Sequence, residues 1–261
     1  MRLLKTILTE IGGITLFSWK VVRTLFQTHG NWKPMMAQIA SVSYRSLPTV
    51  MFAGLFVGAI LAIQFNQMLI QYDAQIFLGG LNTSAVVREV GPLIISFLLA
   101  GKIGAYTAAE LGTMRVTEQI DAIQCLGTNP LQYLVVPRFF AIIFSSFLLL
   151  GIGLLVSVGG STLMAVAFFG MNPLQFAASI PRFTGPWTLV CGAVKSGVYG
   201  TIVAAVACYK GYTASGGARG VGRAVTMAAV FTNLYIVTAN YFTSQMLETA
   251  KSLLDLFMKR M

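Results

Sequence analysis

Five stretches of this chain, residues 47–70, 84–106, 139–169, 187–209 and 224–247, are too long and too apolar for the surface of a soluble protein. A helix needs about 20 apolar residues to cross a bilayer. Lipid offers no partner to a backbone N–H or C=O, so a spanning segment must satisfy its own. The helix does this within one segment. Composition agrees: 56% of the 261 residues are hydrophobic and 10% are charged, against about 25% charged in a soluble domain. The chain is expected to be an all-α membrane protein, with residues 1–261 forming a single transmembrane domain and no room for a separate soluble one.

Residues 1–45 precede the spans. Leu4, Ile7, Leu8, Ile11, Ile14 and Phe17 follow helical spacing. Only 14 residues separate Lys5 from Lys20, and Glu10 and Gly12-Gly13 interrupt them. That is too short and too polar to cross, so a helix lying in the interface is expected. Glu10 also argues against a signal peptide. In the first span Gly54 and Gly58 make a GxxxG face for close helix packing. In the second, Ala100, Gly104, Ala108 and Gly112 recur every four residues and carry the span into a polar continuation. The third span exceeds what a bilayer requires and is expected to tilt or to break near Gly159-Gly160. Residues 170–186, with Pro173, Pro181 and Pro186, read as a loop. The fifth span carries Thr226, Thr232, Asn233, Thr238, Asn240 and Thr243, and is expected to face a partner helix or a cavity.

The net charge of +10 lies in short loops. Basic residues gather before span one (Arg2, Lys5, Lys20, Arg23, Lys33, Arg45), after span two (Lys102, Arg115, Arg138) and after span four (Lys210, Arg219, Arg223). The positive-inside rule places these in the cytosol, with the N-terminus inside. The charge therefore does not point to nucleic acid. Cys125, Cys191 and Cys208 share no metal spacing, and the single His29 cannot build a metal site or a catalytic triad. An enzyme is not indicated.

Residues 87–121 hold four of the eight acidic residues. Arg88 and Glu89 stand at the mouth of the second span. On a helix they point about 100° apart, and at the bilayer centre each would cost about 2.5–3.5 kcal/mol. Two readings stand side by side: an interfacial anchor and a ligand seat. Lys195, inside the fourth span, calls for an acidic partner; Glu89 and Glu110 are the two candidates. Residues 110–121 read as a helix of about three turns, with polar Glu110, Arg115, Glu118, Gln119 and Asp121 against apolar Leu111, Met114 and Ile120. Its acidic character favours a protein partner over anionic lipid. Residues 215–223 lack GxxxxGK[ST] and have no preceding strand, so they form no phosphate loop.

Arg88-Glu-Val-Gly-Pro92, the run from Ala109-Glu-Leu-Gly-Thr-Met-Arg to Asp121, Asn129-Pro-Leu, Val136-Pro-Arg138 and Gly220-Val-Gly-Arg-Ala224 resemble the MlaE/Tgd-type permease family, in order across residues 5–247. The resemblance implies a fold of an N-terminal interfacial helix plus five transmembrane helices, with a cytosolic coupling helix between spans two and three. It implies the permease subunit of an ABC transporter moving phospholipids between inner and outer membranes of a bacterium, and thereby serving outer-membrane lipid asymmetry. Implied partners are a second copy of the chain, a cytosolic ABC ATPase, an MCE-domain periplasmic subunit and a STAS-domain protein. The chain itself would bind no cofactor, with ATP and Mg held by the ATPase. Arg88, Glu89 and Tyr72 match positions near the lipid headgroup; Glu110, Arg115, Glu118, Gln119 and Asp121 match the coupling helix. Met227 departs from the family's basic residue, and residues 248–261 form a longer tail. The rival reading is a stand-alone proton-coupled secondary transporter of an amphipathic substrate. Such folds show internal repeats, and none is evident.

Overall fold

The computed structural model describes residues 2–27 and 32–260, with side chains placed for 9–25 and 35–256. The side chains of Leu4, Ile7 and Leu8 and the loop at His29 lie outside the described residues. Among the described residues all regular structure is helical. Ten α-helices follow in order: α1 (Arg2–Gln27), α2 (Trp32–Ile70), α3 (Leu78–Ala85), α4 (Gly91–Leu99), α5 (Ala105–Val116), α6 (Gln119–Cys125), α7 (Val136–Phe169), α8 (Pro173–Phe183), α9 (Pro186–Tyr212) and α10 (Gly217–Arg260). Among the described residues five segments are long and apolar enough to cross a membrane: Met35–Ile70, Gln75–Val116, Leu131–Phe169, Pro186–Tyr212 and Gly217–Leu256. The N-terminal helix α1 is not one of them. All five run beyond the limits read from hydropathy, because a helix does not stop where its residues turn polar.

The second span is several helices joined without a stop. π-helical turns at Val86–Val90 and Ala100–Gly104 link α3 to α4 and α4 to α5. The Ala100–Gly112 stripe thus runs through nearly continuous helix. Two expectations are corrected. Of the tilt or break expected of the third span, the break is absent: α7 continues from Val136 to Phe169, and Gly160 lets the carbonyl of Leu55 approach. Residues 170–186 are not all loop. They contain α8, capped by the Asn172 side chain, which accepts from the Leu174 N–H at 2.9 Å. Pro173 fits because an N–H at the first helical position would find no acceptor within the helix, so a residue that lacks one loses no bond.

The chain groups into two compact units. One comprises Met1–Ser46, Leu99–Ser146 and Tyr199–Tyr235; the other comprises Leu47–Leu98, Phe147–Val198 and Ile236–Met261. In lipid, helix association rests on close packing and interhelical hydrogen bonds, not on hydrophobic burial. The second unit uses both. A Cβ on Gly58 would overlap the backbone carbonyl of Ser157, so only glycine permits this approach of α2 to α7. Beside it the Ser161 hydroxyl bonds the Gly58 carbonyl at 3.2 Å and receives the Asn82 amide at 2.6 Å. At α3, Gly80 donates its N–H to Ser179 Oγ at 2.9 Å, on α8. Leu69, Leu78, Ala165 and Phe176 form the apolar cluster around that contact.

In the first unit, α1 lays Ile14, Phe17 and Val21 inward, all buried. The Phe17 ring packs against Tyr209 and Tyr212 of α9. Glu10 pairs with Lys210 at 2.5 Å. The polar residue that kept α1 from reading as a span is therefore held by a cation of the same unit. The small-residue stripe packs here too: Gly104 faces Val203 and Ala207, and Gly112 faces Ala214 and Val221.

Candidate functional site

Within the second unit an ionic cluster forms among α3–α4, α9 and α10. Lys195 is 1% exposed, and an ammonium so buried needs full compensation. It donates to Glu89 Oε2 at 2.7 Å, to the Arg88 carbonyl at 2.7 Å and to Ser244 Oγ at 2.8 Å. Ser244 in turn donates to the Glu89 carboxylate, 3.0 and 3.1 Å from its two oxygens. Of the two acids open to Lys195 in the sequence, the structure selects Glu89. The Val86–Val90 π-turn carries both the Arg88 carbonyl and Glu89 to the same ammonium. Such turns are frequent at functional sites.

Arg88 points elsewhere. Its guanidinium pairs with Glu248 of α10, and the two side chains are 28% and 53% exposed. The cluster thus has a part tied to a buried ammonium, Lys195–Glu89–Ser244, in which Glu89 is itself 44% exposed, and a second pair, Arg88–Glu248, with no buried member. It is built from Ser244 and Glu248 rather than from Tyr72, which sits 71% exposed in the turn after α2. Sequence reading missed Ser244 and Glu248. Their spacing of four puts them on one helix face, but nothing local says which face meets Arg88.

The acidic segment of the first unit is not the single helix expected over residues 110–121. The helix α5 ends at Val116, Thr117 leaves helical geometry, and Glu118 adopts left-handed φ 60° before α6 begins at Gln119. A left-handed residue stops a right-handed helix because its backbone turns with the opposite hand, a conformation that crowds the Cβ of any residue but glycine. Arg115 and Asp121 bridge the bend at 2.5 Å. Glu118, Gln119, Asp121, Gln124 and Leu126 are exposed around it, while Ile120 is buried and anchors α6. Glu110 does not join this face. It is bound by Arg138, with Nη2 at 2.9 Å and Nε at 3.2 Å; Arg138 is itself buried and also donates to the Leu134 carbonyl at 3.0 Å. A pair 28 residues apart leaves no signature in spacing.

Among the described residues no group of three or more His, Cys, Asp or Glu could hold a metal. Cys191 and Cys208 are buried and Cys125 is exposed, all as free thiols.

Comparison with known proteins adds one family match and three relatives. A family model described as "Permease MlaE" matches residues 35–246. A "Probable ABC transporter permease protein" of Rickettsia felis is 34% identical over 237 residues, 91% of this chain and 92% of that protein. One of Synechocystis sp. is 36% identical over 220 residues, 84% of each. "Protein TRIGALACTOSYLDIACYLGLYCEROL 1, chloroplastic" of Arabidopsis thaliana is 32% identical over 231 residues, 88% of this chain and 66% of that protein. The matched range takes in both the ionic cluster up to Ser244 and the bend at Glu118.

Proposed function

The chain belongs to the MlaE permease family, and from that premise we propose that it is the membrane-spanning permease subunit of an ABC transporter for phospholipids. The relatives named ABC transporter permeases support the transporter class, and the one named for trigalactosyldiacylglycerol supports a lipid cargo. The observation that carries the lipid reading is the ionic cluster of Arg88, Glu89, Lys195, Ser244 and Glu248, set in segments long and apolar enough to cross a membrane.

A two-chain phospholipid moved through water would expose about thirty methylenes at about 0.8 kcal/mol each, on the order of 25 kcal/mol. A workable path stays apolar and turns polar only where the headgroup rests. Arg88 offers a guanidinium for a phosphate, a geometry that favours two parallel hydrogen bonds. Lys195 and Ser244 hold Glu89 and the π-turn in place behind it.

Two copies would enclose the lipid cavity. An ABC ATPase would dock at the exposed bend formed by Glu118, Gln119, Asp121 and Leu126. Arg115 shapes this bend through Asp121, and Glu110 fixes α5 through Arg138. An MCE-domain subunit would continue the lipid path on the other side, a STAS-domain protein would join the ATPase, and Mg-ATP would be bound by the ATPase alone. The basic regions support a cytosolic dock and a cytosolic N-terminus, and on this reading the spans lie in a bacterial inner membrane.

Co-purification tests the dock. Tagged chain should bring down an ATPase, and Glu118→Lys with Asp121→Lys should release it while leaving the chain folded. Retention of the ATPase by that double variant would reject the dock. Lipid extraction tests the seat. Purified chain should retain phospholipid, and Arg88→Ala with Glu89→Ala should lower the retained amount severalfold.

A further inference from the structure

The ionic cluster separates its charges by how readily each can be exchanged. Glu89 faces a buried ammonium, and removing it would strand a charge with no water to receive it. Its carboxylate is also held by Ser244. An incoming headgroup therefore finds Glu89 occupied. Arg88 and Glu248 form the other pair, both partly exposed, and exposed pairs exchange at little cost. The partly buried Lys251 follows one turn further along α10. The groups a ligand can engage are thus the Arg88 guanidinium, the Lys251 ammonium on a flexible stem, and one exchangeable carboxylate, Glu248; Glu89, though 44% exposed, stays committed to Lys195.

Resting on the lipid-permease reading above, we propose that Glu248 is the residue that sets headgroup specificity, selecting zwitterionic aminophospholipids over anionic ones. Without lipid its carboxylate occupies Arg88. A headgroup phosphate displaces it, because phosphate matches the guanidinium fork at least as well. The freed carboxylate then accepts N–H bonds from the headgroup ammonium, one bond chain away from the phosphate. A headgroup with phosphate and no ammonium frees the same carboxylate and leaves it beside the phosphate's negative charge, with Lys251 shared between the two. That repulsion discriminates by rejecting the wrong headgroup as well as holding the right one. Arg88 and Lys251 alone would favour anionic lipid, so the preference depends on Glu248.

The test uses delipidated full-length chain in detergent, offered equal amounts of phosphatidylethanolamine and phosphatidylglycerol. The lipid retained after gel filtration is identified by mass spectrometry. Wild type should retain phosphatidylethanolamine over phosphatidylglycerol by about threefold, the scale of one partly exposed ion pair. Glu248→Gln should bring the ratio to about one or invert it, with total retained lipid undiminished. Glu248→Asp, which keeps the charge, should preserve the preference. An unchanged ratio in Glu248→Gln overturns the assignment. So does a wild type that retains both lipids equally, an outcome that leaves the lipid-permease reading standing. A wild type that retains neither lipid overturns both.

Discussion

Lys195 has three N–H groups to satisfy, and three acceptors surround it: Glu89, the Arg88 carbonyl and Ser244. Sequence reading reached this residue by the cost of a charge inside a span and narrowed its partner to two acids. It could not choose, because the choice depends on how α9 meets the Val86–Val90 turn. Replacing Lys195 by Met leaves Glu89 with Ser244 alone. Glu89 is 44% exposed, so water takes up part of the loss, and Lys195→Met should cost about 2–3 kcal/mol of stability. Glu89→Gln added to it should recover at least half of that. Thermal unfolding of the purified variants measures both; a double variant no more stable than Lys195→Met would remove the ion pair as the cause. Arg138 shows the opposite failure of sequence reading. It was counted among loop charges that orient the protein, yet it is buried against Glu110. The positive-inside rule counts charges and does not see which of them find a partner.

At the scale of elements, the spans were legible and their ends and interruptions were not. Apolar runs of 20 or more residues mark a helix whatever its neighbours do. The stop at Thr117-Glu118, the π-turns and α8 depend on local backbone geometry that no periodicity encodes. Gly54 and Gly58 were readable as a close-packing face because small residues at a spacing of four have one strong use in lipid. Gly58→Ala should cost about 1–3 kcal/mol, since its Cβ would meet the Ser157 carbonyl, backbone that cannot yield as a side chain can. Gly101→Ala has open space around the new methyl and should be neutral or slightly stabilising through helix propensity. A Gly58→Ala variant that unfolds at the temperature of Gly101→Ala would reject the close approach. At the bend, Glu118→Gly should stabilise by up to about 1 kcal/mol, because glycine adopts positive φ without the Cβ penalty.

At the scale of the whole molecule, the three cysteines provide a reporter of orientation that needs no engineering. Cys125 is exposed next to the α6 bend, whereas Cys191 and Cys208 are buried. A membrane-impermeant maleimide should label the protein in inside-out vesicles and leave intact cells unlabelled, with Cys125 as the modified residue. Labelling confined to the outside of cells would reverse the proposed topology. The family was legible because its motifs fall where chemistry is concentrated, at Arg88–Glu89 and around residues 109–121. What the motifs left out were the groups that complete those sites, above all Ser244 and Glu248 on a helix some 150 residues later in the chain.

The π-turn at Val86–Val90 has a further consequence, one of phase. Its wider turn offsets the register between α3 and α4, so a single helical wheel drawn through the second span assigns one of the two to the wrong face. Deleting one residue within 86–90 would remove the extra residue that the wide turn absorbs, restoring ordinary α-helix with the two flanks still in phase. Gly79 and Gly80 would keep their seat on α8 and Ile95 its place in the core, but the Arg88 carbonyl and the Glu89 carboxylate would no longer both reach Lys195. A single deletion there should therefore leave the chain folded and dismantle the ionic cluster.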